Sequence, residues 1–394
     1  MMKNFRLILV PCFLITFQFI YGQNSGPEIK LDSLARNLGE KFMKNPQSVG
    51  LSIGVYDNGK SNFYNFGTTG NGKEIAPSKN TIYEIASITK TFTSYLLAKA
   101  VLEKKIKLSD DIRKYVDGEY PNLEFAGQPI QIVHLANTTS GIPEWIPAEP
   151  DEIKNAPSDS IPFLRAKIYG NYSRKDFFDG LHQVKLDTVP GFKVKHSNGA
   201  AQLLAYILEN VFQMSFEKLV QQYILKSNGM NQTFFVIPNS KKKYLASGYN
   251  VKGILMRSEF EKSYFRSMGG LRSSASDLLK YIRLQLDKGN EIVSINHKRT
   301  VDVDAQTGKV VRLLPDSLIN AAVYSIGLNW FLYQPEKRST QIWSDGGSSG
   351  FCSYLVFYPE LNSGVVVLAN NSDEKTFRSL PGIAYEIFKV LGQQ

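Results

Sequence analysis

A serine and a lysine three positions apart are the residues of this sequence best suited to catalysis. They belong to Ser87-Ile88-Thr89-Lys90, at the predicted start of a helix, where residues i and i+3 share one face. A serine hydroxyl attacks a carbonyl only when a base takes its proton, and burial lowers the pKa of a lysine enough for it to be that base. Backbone N–H groups at the helix N-terminus would stabilise the resulting oxyanion. The spacing alone is weak evidence, because Ser-x-x-Lys also begins at Ser215, Ser240 and Ser372.

A second serine pattern lies near the other end of the chain, at Gly346-Gly347-Ser348-Ser349-Gly350. It has the form Gly-x-Ser-x-Gly, which in one large group of hydrolases holds the nucleophile between a strand and a helix, with a histidine later in the chain. Here a strand pattern from Phe351 to Tyr358 follows the turn, and the last histidine is His297. The pattern therefore does not predict a nucleophile at Ser348.

Composition argues against several other kinds of site. The 394 residues are 43% hydrophobic and 21% charged, as in a globular chain of one large domain or two medium ones. The net charge is +10, but the basic residues are scattered apart from Lys241 to Lys243, so we expect no nucleic-acid partner. The four histidines are His134, His182, His196 and His297. They lack the spacing of metal ligands, and we expect neither a metal nor another cofactor.

The first 22 residues have the layout of a secretory signal peptide. Lys3 and Arg6 precede an apolar run from Leu7 to Ile20 that is too short for a confident membrane span. We expect cleavage after residue 22, export to the periplasm or medium, and no membrane span in the mature chain; an uncleaved N-terminal anchor is the alternative. Cleavage would remove Cys12 and leave Cys352 alone, so no internal disulfide is expected.

The elements that must position Ser87 begin with a hairpin near the N-terminus. Residues 48–67 alternate apolar and polar positions on either side of Asp57-Asn58-Gly59, a typical turn sequence. Residues 354–358 and 364–368 predict a second pair of strands, and residues 383–391 predict a closing helix. Strands at both ends with helices between them predict that the two chain ends share one sheet.

The middle of the chain is predicted to be helical. Apolar residues recur at helical spacing over 92–101, 200–211 and 278–284, the last preceded by Ser276 and Asp277 as a predicted cap. The segment from Pro143 to Pro162 is rich in proline and acidic residues and predicts a loop. This loop is either a mobile or substrate-proximal segment or a plain surface connection.

The residues around Ser87 also resemble a known family. Ile85 to Thr93 is similar to the nucleophile segment of class C β-lactamases, D-alanyl-D-alanine carboxypeptidases and related esterases, and further landmarks follow in family order. They are Ile132 to Pro143, Pro190-Gly191, His196-Ser197-Asn198-Gly199, Gly229-Met230, Gly269 to Asp277, Gly327 to Trp330 and Ser344 to Tyr354. The resemblance covers roughly residues 30–390.

This resemblance implies an α+β fold of the serine β-lactamase and penicillin-binding-protein kind. Its antiparallel sheet is built from both chain ends and flanked by helices, with a mostly helical region inserted. We expect one hydrolase domain over residues 23–394 after the signal peptide 1–22. Its sheet part would cover about 23–85 and 320–394, and its mostly helical part about 86–319.

The resemblance also implies roles for the second family segment. His196 stands where the family has a tyrosine that helps to move protons near the serine and lysine. An imidazole, with an ordinary pKa of about 6.5, could do similar work; alternatively, His196 is merely tolerated there. Asn198 matches the asparagine that contacts the lysine and the substrate amide. It could also, or instead, cap the helix predicted over residues 200–211.

The third family segment departs further from the pattern. Ser344-Asp345-Gly346 replaces Lys-Thr-Gly or His-x-Gly, whose cation and threonine help to hold a substrate carboxylate. Ser344 has no charge, and an ionised Asp345 would repel an anion, so we expect a poor β-lactamase that prefers an ester or amide without that carboxylate. Gly347 would offer its N–H as the second oxyanion donor, opposite that of Ser87.

Together these features predict an exported serine hydrolase that forms an acyl-enzyme. Ser87 is the expected nucleophile, and Lys90 with His196 would transfer protons. Asn198, Ser344, Asp345, Gly346 and Gly347 would bind the substrate or its oxyanion. The expected partner is a small-molecule or peptide-like ester or amide. The alternative is a weak or inactive relative that binds cell-wall-type fragments.

Overall fold

The computed structural model describes residues 27–70, 75–157, 159–256, 258, 266–311, 323–334 and 339–392. The predicted signal peptide, with Cys12, lies outside these residues. No helix among them is both long and apolar enough to cross a bilayer.

Strands are concentrated toward the two ends of the described chain, and helices dominate its middle. The helices are α1 Pro27–Met43, α2 Thr89–Leu102, α3 Ile132–Ala136, α4 Asp151–Lys154, α5 Ile161–Ile168, α6 Arg174–Leu181, α7 Asn198–Phe212, α8 Phe216–Val220, α9 Arg266–Gly269, α10 Ala275–Gln285, α11 Glu291–Asn296 and α12 Glu374–Leu391. The strands are β1 Gly50–Asp57, β2 Lys60–Gly67, β3 Ile82–Glu84, β4 Glu124–Phe125, β5 Gln128–Pro129, β6 Gly248–Asn250, β7 Leu255–Met256, β8 Arg272–Ser274, β9 Val301–Asp304, β10 Val310–Val311, β11 Val323–Gly327, β12 Trp330–Tyr333, β13 Gln341–Gly347, β14 Cys352–Tyr358, β15 Ser363–Ala369 and β16 Asn371–Ser372.

The main sheet has nine antiparallel strands in the order β10-β9-β11-β12-β13-β14-β15-β1-β2. β1 pairs on one side with β2 and on the other with β15, which confirms that the two chain ends share one sheet. The turn between β1 and β2 places Asn58 at φ 47° and Gly59 at φ 94°. Two successive left-handed residues give the tight turn that matches strand twist, so the hairpin prediction is confirmed.

Helices α1 and α12 cover one face of this sheet. The apolar side of α12, including Leu380 and Ile387, packs on buried side chains of β14 and β15. The closing helix is confirmed, but it begins at Glu374, nine residues before the predicted start. Its first turns are polar and contain Pro381, so apolar spacing did not reveal them.

Helix α2 lies at the centre of the molecule and packs against α7, α9 and α11, with Phe92 stacked on Tyr281 of α10. The sequence predicted one buried face, but nearly the whole helix is buried, including Thr91, Thr93 and Ser94. A helix surrounded by protein on all sides needs no polar face. Thr91 and Ser94 donate to backbone carbonyls of the preceding turn.

Two predicted boundaries are wrong. The cap of α10 is Ser274, whose Oγ accepts from the Asp277 N–H, rather than Ser276 and Asp277. The second part of the sheet begins at Val301 instead of near residue 320. Strand β9 is hard to recognise because it buries Asp302, which is held by Arg299 Nε at 2.6 Å and by Ser325 Oγ at 2.7 Å.

Candidate active site

Ser87 lies in a short 3₁₀ turn, Ala86–Ile88, that joins β3 to α2. Ala86 has φ 43°, a left-handed conformation that costs a non-glycine residue about 1–2 kcal/mol. Strained backbone of this kind persists where the surroundings enforce it, and it clusters at functional sites. Ser87 N–H donates no hydrogen bond within the described part of the chain. The turn therefore holds both the hydroxyl and a free N–H at the start of α2.

Lys90 reaches back along the helix to Ser87, as the spacing predicted. Its Nζ lies 2.8 Å from Ser87 Oγ, 2.9 Å from Asn198 Oδ1 and 2.9 Å from the Met268 carbonyl oxygen. The lysine is 5% exposed. The structure thus brings Ser87, Lys90 and Asn198 together, and it adds a carbonyl that the sequence did not indicate.

These three contacts suit a neutral lysine. An uncharged amine has two N–H groups and one lone pair, and two of the three partners of Lys90 are oxygens that only accept. Asn198 must present its oxygen to Lys90, because its Nδ2 donates to Glu144 Oε1 at 2.6 Å. In the neutral amine the lone pair is left to receive the proton of Ser87, whereas in the ammonium form all three N–H groups donate, one of them to Ser87 Oγ.

Burial lowers the pKa of Lys90 from its ordinary 10.5 to about 8, while the negative charges of Glu144 and Asp345 act in the opposite direction. A lysine with this pKa is partly neutral near pH 7, as a general base must be.

Helix α7 presents Asn198 from its first turn. The alternative interpretation of Asn198 as the N-cap is wrong, because the cap is Ser197, whose Oγ accepts from the Ala200 N–H at 2.9 Å. Asn198 is the first helical residue, and its side chain is free to join Lys90 to Glu144. The prediction that it contacts Lys90 is met by the geometry.

His196 lies at the mouth of the site. Its Nδ1 is 2.7 Å from Glu144 Oε2, and its side chain is 57% exposed. No hydrogen bond joins it to Ser87 or Lys90 within the described residues. A role for His196 in proton transfer therefore stays a prediction.

Glu144 is the site residue that sequence analysis missed. One of its oxygens contacts His196 and the other accepts from Asn198, so it organises both predicted residues. It directly follows Ile132 to Pro143, one of the family-like segments, and this position is the one signal that could have drawn attention to it.

Strand β13 forms the opposite wall, and Gly346 lets it approach the nucleophile. A Cβ on Gly346 would lie 2.3 Å from the Ile85 carbonyl oxygen and 2.9 Å from Ser87 N. No side chain fits there, so glycine is required by the close approach of two backbones.

The end of β13 directs an N–H toward the site. Ser348 N–H donates to the Phe351 oxygen across the hairpin with β14. Neighbouring N–H groups of a strand point to opposite edges, so that of Gly347 points away from β14. On that side the neighbouring strand is β12, which begins at Trp330. In the strand register Gly347 lies three residues beyond the position opposite Trp330, so β12 does not reach it. The Gly347 N–H is therefore available on the side of β13 away from β14, and Gly347 lines the same cavities as Ser87.

Ser344 and Asp345 lie deeper along the same strand. Both residues line the Asp345 cavity described below, although Ser344 is almost fully buried. Burial raises the pKa of Asp345, and the nearby His196 and Lys90 act in the opposite direction. No cation stands at the position of the family's third segment.

Two adjoining cavities meet at Ser87, His196 and Gly347. The first, here called the Trp145 cavity, has a volume of about 490 Å³ and is also lined by Glu144, Trp145 and Arg165. The second, the Asp345 cavity, measures about 360 Å³ and is also lined by Lys90, Phe331, Phe377 and Asp345. A carbonyl at Ser87 can thus extend groups in two directions.

The segment from Pro143 to Pro162 lies beside the substrate cavity. Trp145, Ile161 and Pro162 line the Trp145 cavity, and α4 interrupts the predicted loop. Arg165 stacks 4.8 Å from the Trp145 ring and pairs with Glu149 at 2.6 Å. This pairing partly neutralises the arginine as an anion-binding group.

Solved structures with this architecture include class C β-lactamases and a beta-lactamase/D-alanine carboxypeptidase. One described as a class C beta-lactamase matches with a TM-score of 0.74 at 20% identity, over 92% of this chain and 96% of its own. A beta-lactamase/D-alanine carboxypeptidase from Yersinia pestis, complexed with citrate, matches with a TM-score of 0.73 at 25% identity, over 92% of this chain and 99% of its own. The fold is therefore of the β-lactamase and penicillin-binding-protein class, as predicted.

Sequence comparison gives the family. The Beta-lactamase family model matches residues 35–385, and the chain belongs to this family of hydrolases. A protein of Pseudomonas fluorescens named Beta-lactamase is 26% identical over 356 residues, covering 84% of this chain and 91% of that one. Protein flp of Staphylococcus aureus strain N315 is 31% identical over 333 residues, and this match spans 82% of the present chain but 60% of that protein.

Proposed function

We propose that this protein is an exported serine hydrolase that cleaves an ester or amide through an acyl-enzyme on Ser87. The observation that carries the proposal is the 2.8 Å contact between Ser87 Oγ and the buried amine of Lys90, whose two other partners can only accept hydrogen bonds.

In the first half-reaction, Ser87 Oγ attacks the substrate carbonyl and its proton passes to Lys90 Nζ. The oxyanion of the tetrahedral intermediate accepts hydrogen bonds from the N–H groups of Ser87 and Gly347, which are held in place before the substrate binds. The proton then moves to the leaving alcohol or amine as the C–O or C–N bond breaks. Lys90 is neutral again once the acyl-enzyme has formed.

In the second half-reaction, water attacks the acyl carbonyl and gives a proton to Lys90 Nζ. Lys90 then passes a proton to Ser87 Oγ as the bond between Ser87 and the acyl group breaks. Lys90 lies in place for this transfer. His196 lines both cavities and is held by Glu144. We therefore assign it proton transfer between the substrate and solvent.

The third segment favours a substrate without a free carboxylate. Asp345 faces the cavity where the family carries cationic or hydroxyl groups for such a carboxylate, and Ser344 adds no charge. We therefore propose that β-lactams are poor substrates, although one relative is named a beta-lactamase. Export is supported by residues 1–22 alone, and N-terminal sequencing of the protein from its native envelope or medium would test it.

The function is tested with a panel of p-nitrophenyl esters, D-amino acid amides and nitrocefin. We expect ester or amide turnover by the wild type, loss of at least a thousandfold in Ser87→Ala, and nitrocefin rates far below those of true β-lactamases. Ser215→Ala is the matched control, since Ser215 is exposed, begins another Ser-x-x-Lys sequence and lines neither cavity. Absence of Ser87-dependent turnover across the panel would favour a binding protein for cell-wall-type fragments.

A further inference from the structure

One face of strands β11 to β13 carries four aromatic side chains and a carboxylate. Phe331 lies opposite Trp343 in the strand register, and Tyr333 and Asp345 lie two residues further along their strands, on the same face. Tyr324 of β11 completes the set, with its ring centroid 5.8 Å from that of Phe331. The rings of Phe331 and Trp343 are stacked at 5.4 Å.

These residues line a third, open cavity of about 360 Å³, here called the aromatic cavity. It shares Phe331 and Asp345 with the Asp345 cavity, which contains Ser87 and Lys90. The aromatic cavity therefore adjoins the candidate active site at Phe331 and Asp345.

Asp345 supplies the charge where the two cavities meet. Its carboxylate makes no hydrogen bond or ion pair with any described residue; the titratable side chains that act on it electrostatically are His196 and Lys90. Lys90 is committed to Ser87 and Asn198, and His196 is committed to Glu144. The carboxylate thus faces the cavities without a partner of its own.

Aromatic faces and a carboxylate attract the same kind of group. The negative faces of tyrosine, tryptophan and phenylalanine rings bind cations, and alkylated ammonium groups suit such cages because their methyl groups also bury apolar surface. A substrate anion would meet the opposite sign of charge at Asp345. A neutral alkyl group would gain from the rings but leave the carboxylate unpaired.

We propose that the aromatic cavity binds an alkylammonium group of the substrate, with Asp345 as its counter-ion and Trp343 and Phe331 as ring contacts. The inference rests on the proposed function and names its substrate class: an ester or amide that carries a quaternary or alkylated amine one short chain away from the scissile carbonyl. Asp345 is then a specificity-determining residue of the hydrolase.

The test compares esters that differ only in charge. The first pair is a choline ester and the 3,3-dimethylbutyl ester of the same acid; the choline ester carries its cation on the leaving group. The second pair is the p-nitrophenyl esters of 4-(trimethylammonio)butanoate and 5,5-dimethylhexanoate; the first of these carries its cation on the acyl group. In each pair a quaternary nitrogen replaces a quaternary carbon of nearly the same size, so the ratio of kcat/KM values measures recognition of charge.

We expect the cationic member of at least one pair to be preferred by about tenfold or more at low salt. Asp345→Asn should bring that ratio close to one, and Trp343→Leu should lower it several-fold, mainly through KM. Glu291→Gln is the matched control; it removes one exposed carboxylate that lines none of the three cavities and should leave the ratio unchanged.

A ratio near or below one in both wild-type pairs would overturn the inference, as would a preference that survives Asp345→Asn. Thermal melting shows whether that variant is folded; if it is not, the wild-type ratios and Trp343→Leu decide. Hydrolysis of the neutral esters that depends on Ser87 is a separate readout. Its absence would defeat the proposed function, whereas its presence without charge preference would defeat this inference alone.

Discussion

The negative charge of Glu144 can be moved next to Lys90 without losing a hydrogen bond. In the wild type, Glu144 accepts from Asn198 Nδ2 at 2.6 Å and contacts His196 Nδ1 at 2.7 Å. The double variant Asn198→Asp/Glu144→Gln exchanges the amide and the carboxylate. The new amide donates to the new carboxylate and still accepts from His196, and the new carboxylate replaces an amide oxygen 2.9 Å from Lys90 Nζ.

The expected size of the effect follows from the pKa of Lys90. With a pKa of about 8, about one tenth of Lys90 is neutral at pH 7, roughly 300-fold more than at the ordinary value of 10.5. An opposite charge in direct contact raises the pKa of a lysine by about one to three units. Since the neutral amine is the base, kcat/KM at pH 7 should fall by about ten- to a thousandfold.

The assay is the pH dependence of kcat/KM for a neutral p-nitrophenyl ester. For the wild type we expect kcat/KM to rise tenfold per pH unit below an inflection near pH 8 and then to level off. The double variant should move that inflection upward by at least one unit. Glu144→Gln alone should move it downward, because the charge of Glu144 raises the pKa of Lys90 in the wild type.

The direction in which the inflection of the pH profile moves shows whether Lys90 acts as the base or has only a structural role. A lower plateau with an unchanged inflection in the folded double variant would refute Lys90 as the titrating base. Thermal melting curves of all three proteins are the control for folding.

Substitutions at three further positions test the fold and the site. Gly346→Ala should lower the free energy of unfolding by at least about 2 kcal/mol, because the new Cβ meets the Ile85 carbonyl at 2.3 Å; a denaturant melt like that of the wild type would contradict this. Phe92→Ala should cost about 3–5 kcal/mol in the same measurement, since Phe92 is fully buried and stacked 4.1 Å from Tyr281, and a loss below 1 kcal/mol would show that α2 is not the packed centre. His196→Phe should lower kcat for the ester about a hundredfold, whereas His196→Tyr, which installs the family's residue, should retain more activity; equal activity of both variants would show that residue 196 transfers no proton.

Local patterns in the sequence predicted much of the fold. The hairpin of β1 and β2 was predictable because alternation and the Asp57-Asn58-Gly59 turn lie within one short segment. The pairing of β1 with β15 was predictable only as a consequence of having strands at both ends. Strand β9 was not, because its buried Asp302 is stabilised by Arg299 and Ser325, and Ser325 lies on a different strand.

The site divides in the same way. Ser87 and Lys90 were predictable because one helical turn sets their distance. The contact of Lys90 with the Met268 carbonyl was not, since it joins residues 178 positions apart and involves a backbone group with no sequence signal. The surroundings of Asp345 likewise come from three strands and from Ser87, which are far apart in the sequence. Its lack of a hydrogen-bond or ion-pair partner among the described residues could therefore not be predicted from the sequence.

The most direct test of the central claim is the mass of the intact protein after reaction with a fluorophosphonate. We expect the wild type to gain one adduct, which peptide mapping places on Ser87, and Ser87→Ala to gain none. Labelling should slow below pH 8 as Lys90 becomes protonated. A wild-type mass that stays unchanged at high pH with several acylating or phosphonylating reagents, or equal labelling of Ser87→Ala, would contradict a nucleophile at Ser87.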